Sequence, residues 1–147
     1  MIIDRQKEMW SCWGGKPVHD TNLFTGTFTL KQIAVIRAPE AETLEMSLMR
    51  LLMENQGIIL LDGQILCSLV RKRCITRTPL WLEDPDFNGY VYFAAALVEF
   101  LFTGKYCKGY PTLYARDDGT PGNILIPPEE KIDTSGRYSH HFAVLRS

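Results

Sequence analysis

The chain has 147 residues, 46% of them hydrophobic and 22% charged, ordinary values for one globular domain long enough to bury a core. Its formal net charge of −1 excludes a global field that would recruit nucleic acid or an anionic membrane, so any charged patch has to act locally. The four cysteines, Cys12, Cys67, Cys74 and Cys107, form no CxxC pair and no metal-finger spacing.

The opening residues, MIIDRQKEMW, lack the continuous apolar core of a signal peptide. Reduced thiols in an intracellular compartment, cytoplasmic or nuclear, are therefore the expectation. Residues 1–22 form an N-terminal segment carrying Trp10 and Trp13 before a Gly14-Gly15 break. Both rings read either as cover for the edge of the core or as aromatic anchors for a partner.

Residues 23–38 are rich in Thr, Phe, Ile and Val and read as strand. Phe24, Gly26, Phe28, Leu30 and Gln32 share one face. Alternation fails from Ile33 onward, which signals a bulge or deeper burial. A helix is expected over 39–56, with Pro39 in its first turn and Gly57 after its end. Leu44, Leu48, Leu51 and Leu52 form a core stripe at helical spacing. Met46, Met49 and Met53 form a second apolar stripe, which marks either a helix buried on two sides or a face for a partner. Residues 58–70 have two readings. Asp62-Gly63 between apolar runs favours a hairpin, and Asp62 as the cap of a short helix is the alternative.

Arg71, Lys72, Arg73 and Arg77 are the densest positive charge, a candidate anion-binding segment or a solvated strand end. Asn88 to Gly104 is the longest apolar run and is read as a central helix over 88–103, with Asn88 as N-cap and Gly104 past the end. Glu99 is its one charged residue, read as an exposed carboxylate on a polar seam. The part 105–147 reads as strand and turn. Its strands are expected at Thr112 to Arg116, Asn123 to Ile126 and Tyr138 to Leu145, with the last alternating His140, Phe142 and Val144 against His141, Ala143 and Leu145.

No GxxxxGK[ST], GxGxxG or GxSxG occurs, and Asp117-Asp118-Gly119 is not followed by an EF-hand pattern. No cofactor and no metal site is expected. Cys107 lies between basic residues and is the best reactive thiol, with His140 or His141 as its partner in a cysteine-dependent enzyme. The fold expectation is α+β: a single domain, 1–147, whose mostly antiparallel sheet packs against two main helices. The functional expectation is a non-enzymatic protein that binds a protein partner or itself through Met46, Met49 and Met53, with Trp10 and Trp13 nearby. A viral or phage accessory or structural factor, or a toxin-neutralising protein, is a role of that kind. Binding of nucleic acid or an anionic membrane through 71–77 is the alternative, and no apolar run is long enough to cross a bilayer.

Overall fold

The computed structural model describes residues 2–4, 16–17, 26–71, 89–116, 121–133 and 138–146. They form an α+β fold: a mixed sheet with one helix on each face. A separate ribbon pairs β1 (Ile2–Asp4) with β3 (Thr27–Thr29). The main sheet runs β2 (Lys16–Pro17), β7 (Val98–Phe102), β8 (Lys105–Ala115), β6 (Gly89–Tyr92), β10 (Ser139–Leu145) and β4 (Ile33–Arg37). β5 (Ile59–Leu60) pairs with β10, and β9 (Pro121–Ile126) pairs with β8. Among the described pairings only β6 with β10 is parallel, so the sheet is mostly antiparallel as expected.

Strand alternation divides the apolar side chains between two cores. Ile33 and Val35, Val91 and Phe93, and Ala143 and Leu145 point to one face, where Ile65, Leu66 and Leu69 of α2 (Gly63–Arg71) cover them. Ala34 and Ile36, Tyr90 and Tyr92, and Phe142 and Val144 point to the other. There they meet Leu44, Leu48 and Leu51 of α1 (Leu44–Glu54).

The largest correction concerns 88–103, which is no helix. It is strand β6, a turn through Ala94, Ala95 and Ala96, and strand β7. Short apolar runs carry a helical and a strand period at once, and β-branched and aromatic residues outnumber the alanines here. β6 gains backbone partners on both sides, from β8 and β10, and as a strand it sends Val91 into one core and Tyr90 and Tyr92 into the other. Gly104 (φ +79°) and Thr103 (φ +49°) form the two-residue turn between β7 and β8, with Phe102 opposite Lys105. A hairpin of this type needs positive φ at both turn residues, as a helix end needs it at one, so Gly104 suited either reading.

The first helix is shorter than 39–56. Thr43 Oγ1 accepts the Met46 amide at 3.2 Å and caps α1, while Pro39 stays outside and its carbonyl accepts the buried Ser47 hydroxyl at 2.6 Å. The hairpin reading of 58–70 is also overturned. Asp62 is buried, and its carboxylate accepts the Ile65 amide at 3.2 Å to cap α2. Asp-Gly serves as cap and first helical residue here, because Gly63 to Leu69 are all buried and a hairpin would leave that stretch half wet. The failed alternation at Ile33 has a local cause: a 3-10 turn over Leu30–Gln32 separates β3 from β4. The strand expected from Thr112 to Arg116 is the far half of the longer β8, which changes partner at Gly109 from β7 to β6 and β9.

Candidate functional site

Two surface features stand out. The first is the outward face of α1. Leu44, Ser47, Leu48 and Leu51 turn inward, and Met46, Met49, Leu52 and Met53 turn outward. Leu52, expected in the core stripe, therefore belongs with the methionines. At about 100° per residue it lies at the boundary between Leu48 and Met49, and the sheet takes only the narrower stripe beneath it.

The second is a cleft of about 290 Å³ above the sheet on the α1 side, lined by Tyr90, Tyr92, Tyr138 and His140 with Ile126, Ile132, Glu130, Lys131 and Asp133. Register builds its floor. Tyr90 lies opposite His140 on one side and Tyr114 on the other, and Tyr92 lies opposite Phe142. Tyr90, Tyr92 and His140 stand nearly parallel, with ring centroids 5.5, 5.9 and 6.4 Å apart in pairs. The wall is tied to the start of α1: the Leu44 amide donates to the Glu130 carbonyl at 2.9 Å, and the Ile132 amide to the Glu42 carbonyl at 3.2 Å.

Tyr92 Oη lies 2.7 Å from His140 Nδ1. Burial, reinforced by the neighbouring Tyr90 and Glu130, raises the Tyr92 phenol above its ordinary value. Burial also lowers the His140 imidazole, against the opposing charge and backbone hydrogen bond of Asp133. Near neutral pH both groups are thus uncharged, and the phenol oxygen and Nδ1 share one hydrogen bond whose direction follows the imidazole tautomer. On the same face, burial and the Glu45 charge push Tyr110 up to about 12.

The His140 shift has a testable consequence. Its folded pKa lies below the unfolded value of about 6.5, so the unfolded chain binds more protons just below that pH. The stability contribution is present above about pH 6.5 and is lost as pH falls through the lowered folded value. Melting temperature measured from pH 5 to 8 is expected to fall on acidification, and to fall less steeply in His140→Gln. Identical slopes would remove His140 as the source.

The residues singled out from sequence fare differently. Met46, Met49 and Met53 are brought together at the surface. Arg71 is the last residue of α2, while Lys72, Arg73, Arg77, Trp10 and Trp13 lie outside the described residues. Cys107 is half-buried opposite Phe100, whereas His140 and His141 lie opposite Tyr90 and Val91, whose rungs meet β8 at Tyr114 and Leu113. At ~3.3 Å per residue, six or seven residues of β8 separate Cys107 from those rungs by roughly 20 Å, so the sheet does not join this thiol to an imidazole. His140 and His141 point to opposite faces, and no cluster of three metal-ligating side chains occurs among the described residues. Cys12, Cys74 and the loop 117–120 lie outside the described residues, and Cys67 is buried in α2. Glu99 is half-buried on β7, opposite Lys108. Among the described residues no helix is long and apolar enough to cross a membrane.

The aromatic cleft escaped the sequence reading. Its signal was the i, i+2 spacing of Tyr90 with Tyr92 and of His140 with Phe142, which matters only once 89–92 is a strand. Compared with protein-family models, with curated proteins and with solved structures, the chain shows no match.

Proposed function

We propose that this chain is a non-enzymatic interaction protein that associates reversibly with a second copy of itself through the outward face of α1. The observation that carries this reading is the exposure of Met46 (48%), Met49 (57%), Leu52 (42%) and Met53 (76%) on one short helix. Scattered exposed apolar residues need no explanation, but a contiguous patch marks a contact surface. Thioether side chains adapt to an irregular partner.

Charge pattern favours a second copy. Met46, Met49 and Met53 are spaced three and four apart, the seam of a paired helix, with Glu45 on one flank and Arg50 on the other. In a parallel two-fold pair, Glu45 of one copy faces Arg50 of the other, twice. Both side chains are exposed. Arg50 also donates to the Glu40 carbonyl, and a guanidinium has donors to spare. The seam spans only 11 residues, about 16 Å at 1.5 Å per residue, so the contact is well short of the ~800 Å² per partner of a stable interface. Weak, concentration-dependent association is the result.

Sedimentation equilibrium over a wide concentration range tests this. Wild type is expected to gain mass with concentration, and Met49→Glu is expected to stay monomeric while keeping its circular dichroism and an unfolding free energy within about 0.5 kcal/mol of wild type. Arg50→Glu is expected to weaken association, and Glu45→Arg added to it to restore it. A strict monomer at millimolar concentration would reject the reading. Unfolding of Met49→Glu would mean that the methionines are core.

A further inference from the structure

The cleft over β6 and β10 is separate from the outward face of α1. We propose that it binds a small organic cation, an alkylammonium group, held against the rings of Tyr90 and Tyr138 and beside the carboxylates of Glu130 and Asp133. The shape argument comes first. The rings of Tyr90 and Tyr138 have centroids 5.9 Å apart and planes inclined by 59°. That spacing is too close to admit a flat ring between them, so a planar ligand cannot be sandwiched there. Both rings line the cleft with Tyr92, and an aromatic lining suits a rounded cation, since the ring quadrupole attracts positive charge placed over a ring face. Deeper in, Tyr90, Tyr92 and His140 are already stacked on one another, with Phe142 tilted beside Tyr92, so the floor offers no slot to a planar ligand. A volume near 290 Å³ lies at the lower end for small-molecule pockets and matches a head group rather than an extended molecule.

Charge points the same way. Among the described residues, Glu130 and Asp133 line the cleft against the ammonium of Lys131 alone. Their fields reach its floor: Glu130 raises the Tyr92 phenol, and Asp133 opposes the lowering of the His140 imidazole. His140, kept neutral by burial near pH 7, does not repel a cation. Ile126 and Ile132 supply apolar surface for the alkyl groups.

The ammonium can belong to a free small molecule or to a methylated lysine side chain. NMR titration of the whole chain at low ionic strength, with choline and with N-acetyl-trimethyllysine amide as probes, separates the two. The expected result is saturable shifts at Tyr90, Tyr138 and His140 with millimolar choline, or with the lysine compound if a protein side chain is the occupant. The neutral choline isostere 3,3-dimethylbutanol should give none. Glu130→Gln is expected to weaken binding about three- to tenfold, and Lys131→Gln to tighten it by a similar factor. Tyr138 is exposed, so Tyr138→Leu keeps the fold while removing a cation-attracting face, and it should weaken binding about threefold or more. No shift with either cation, or equal binding of the neutral isostere, would overturn the proposal. So would unchanged affinity in both Glu130→Gln and Tyr138→Leu.

Discussion

Phe142→Ala is expected to lower the unfolding free energy by about 3–5 kcal/mol, the usual cost of emptying a buried aromatic site. Phe142 is fully buried in the middle of β10, between Ile36 on β4 and Tyr92 on β6. Its ring centroid lies 5.5 Å from that of Tyr92, and its cluster includes Leu44, Leu48 and Leu51 of α1. The site is held by backbone ladders on both sides, so the strands cannot collapse into the space. Domains of this size have total stabilities of roughly 5–15 kcal/mol, so the loss is a large fraction of the whole. Urea unfolding followed by circular dichroism checks it, with an unchanged slope against denaturant showing that both end states are kept. A loss under about 1 kcal/mol would mean that β10 is not the centre of the sheet. Tyr92→Phe is the informative companion. It keeps the ring and removes only the hydrogen bond to His140, so about 1 kcal/mol is expected.

Gly89→Ala is expected to cost roughly 2–3 kcal/mol by overpacking, and to disturb the cleft as well. A Cβ on Gly89 would lie 1.9 Å from the Ser139 carbonyl oxygen and 2.6 Å from its hydroxyl. The hydroxyl can rotate away, but the carbonyl belongs to the backbone of β10. Gly89 and Ser139 form the first rung of the parallel pair, and the next rung sets Tyr90 beside His140. Parting the strands at one rung therefore shifts the two rings that floor the cleft. Gly104→Ala is the control. Nothing lies within 4 Å of its added Cβ, and only the left-handed backbone, φ +79°, opposes it, at about 1 kcal/mol. Thermal melts of both variants, with the aromatic NMR signals of Tyr90 and His140, separate a steric effect from a conformational one. Equal melting temperatures for the two alanines would show that the β6–β10 contact yields easily.

Several elements were legible because local chemistry decides them. The last strand needed only its period: His140, Phe142 and Val144 do lie on one face, and His141, Ala143 and Leu145 on the other. The first helix was recognisable from Leu44, Leu48 and Leu51, though it starts later than Pro39 suggests. Pro39 tolerates a first helical turn, but Thr43 is the side chain that reaches back to an orphan amide. Asp62 was ambiguous for a related reason, since a short carboxylate ahead of a glycine satisfies a turn and a helix start equally.

Sequence alone determined the α+β class, the two-sided character of α1 and the lack of any familiar catalytic signature, because these rest on side-chain type and spacing within one segment. Only the tertiary structure decided that 89–102 is two strands. The residues from Gly89 to Phe102 carry both periods, and the hydrogen bonds that choose between them come from β8 and β10, which are remote in the chain. The tertiary structure also decided which apolar residues of α1 stay outside, because the sheet beneath accommodates one stripe and leaves Met46, Met49, Leu52 and Met53 uncovered. The cleft depends on it most. Tyr90, Tyr138, His140 and Glu130 meet through strand register and a wall pinned to the start of α1, and no spacing within a single segment encodes that meeting.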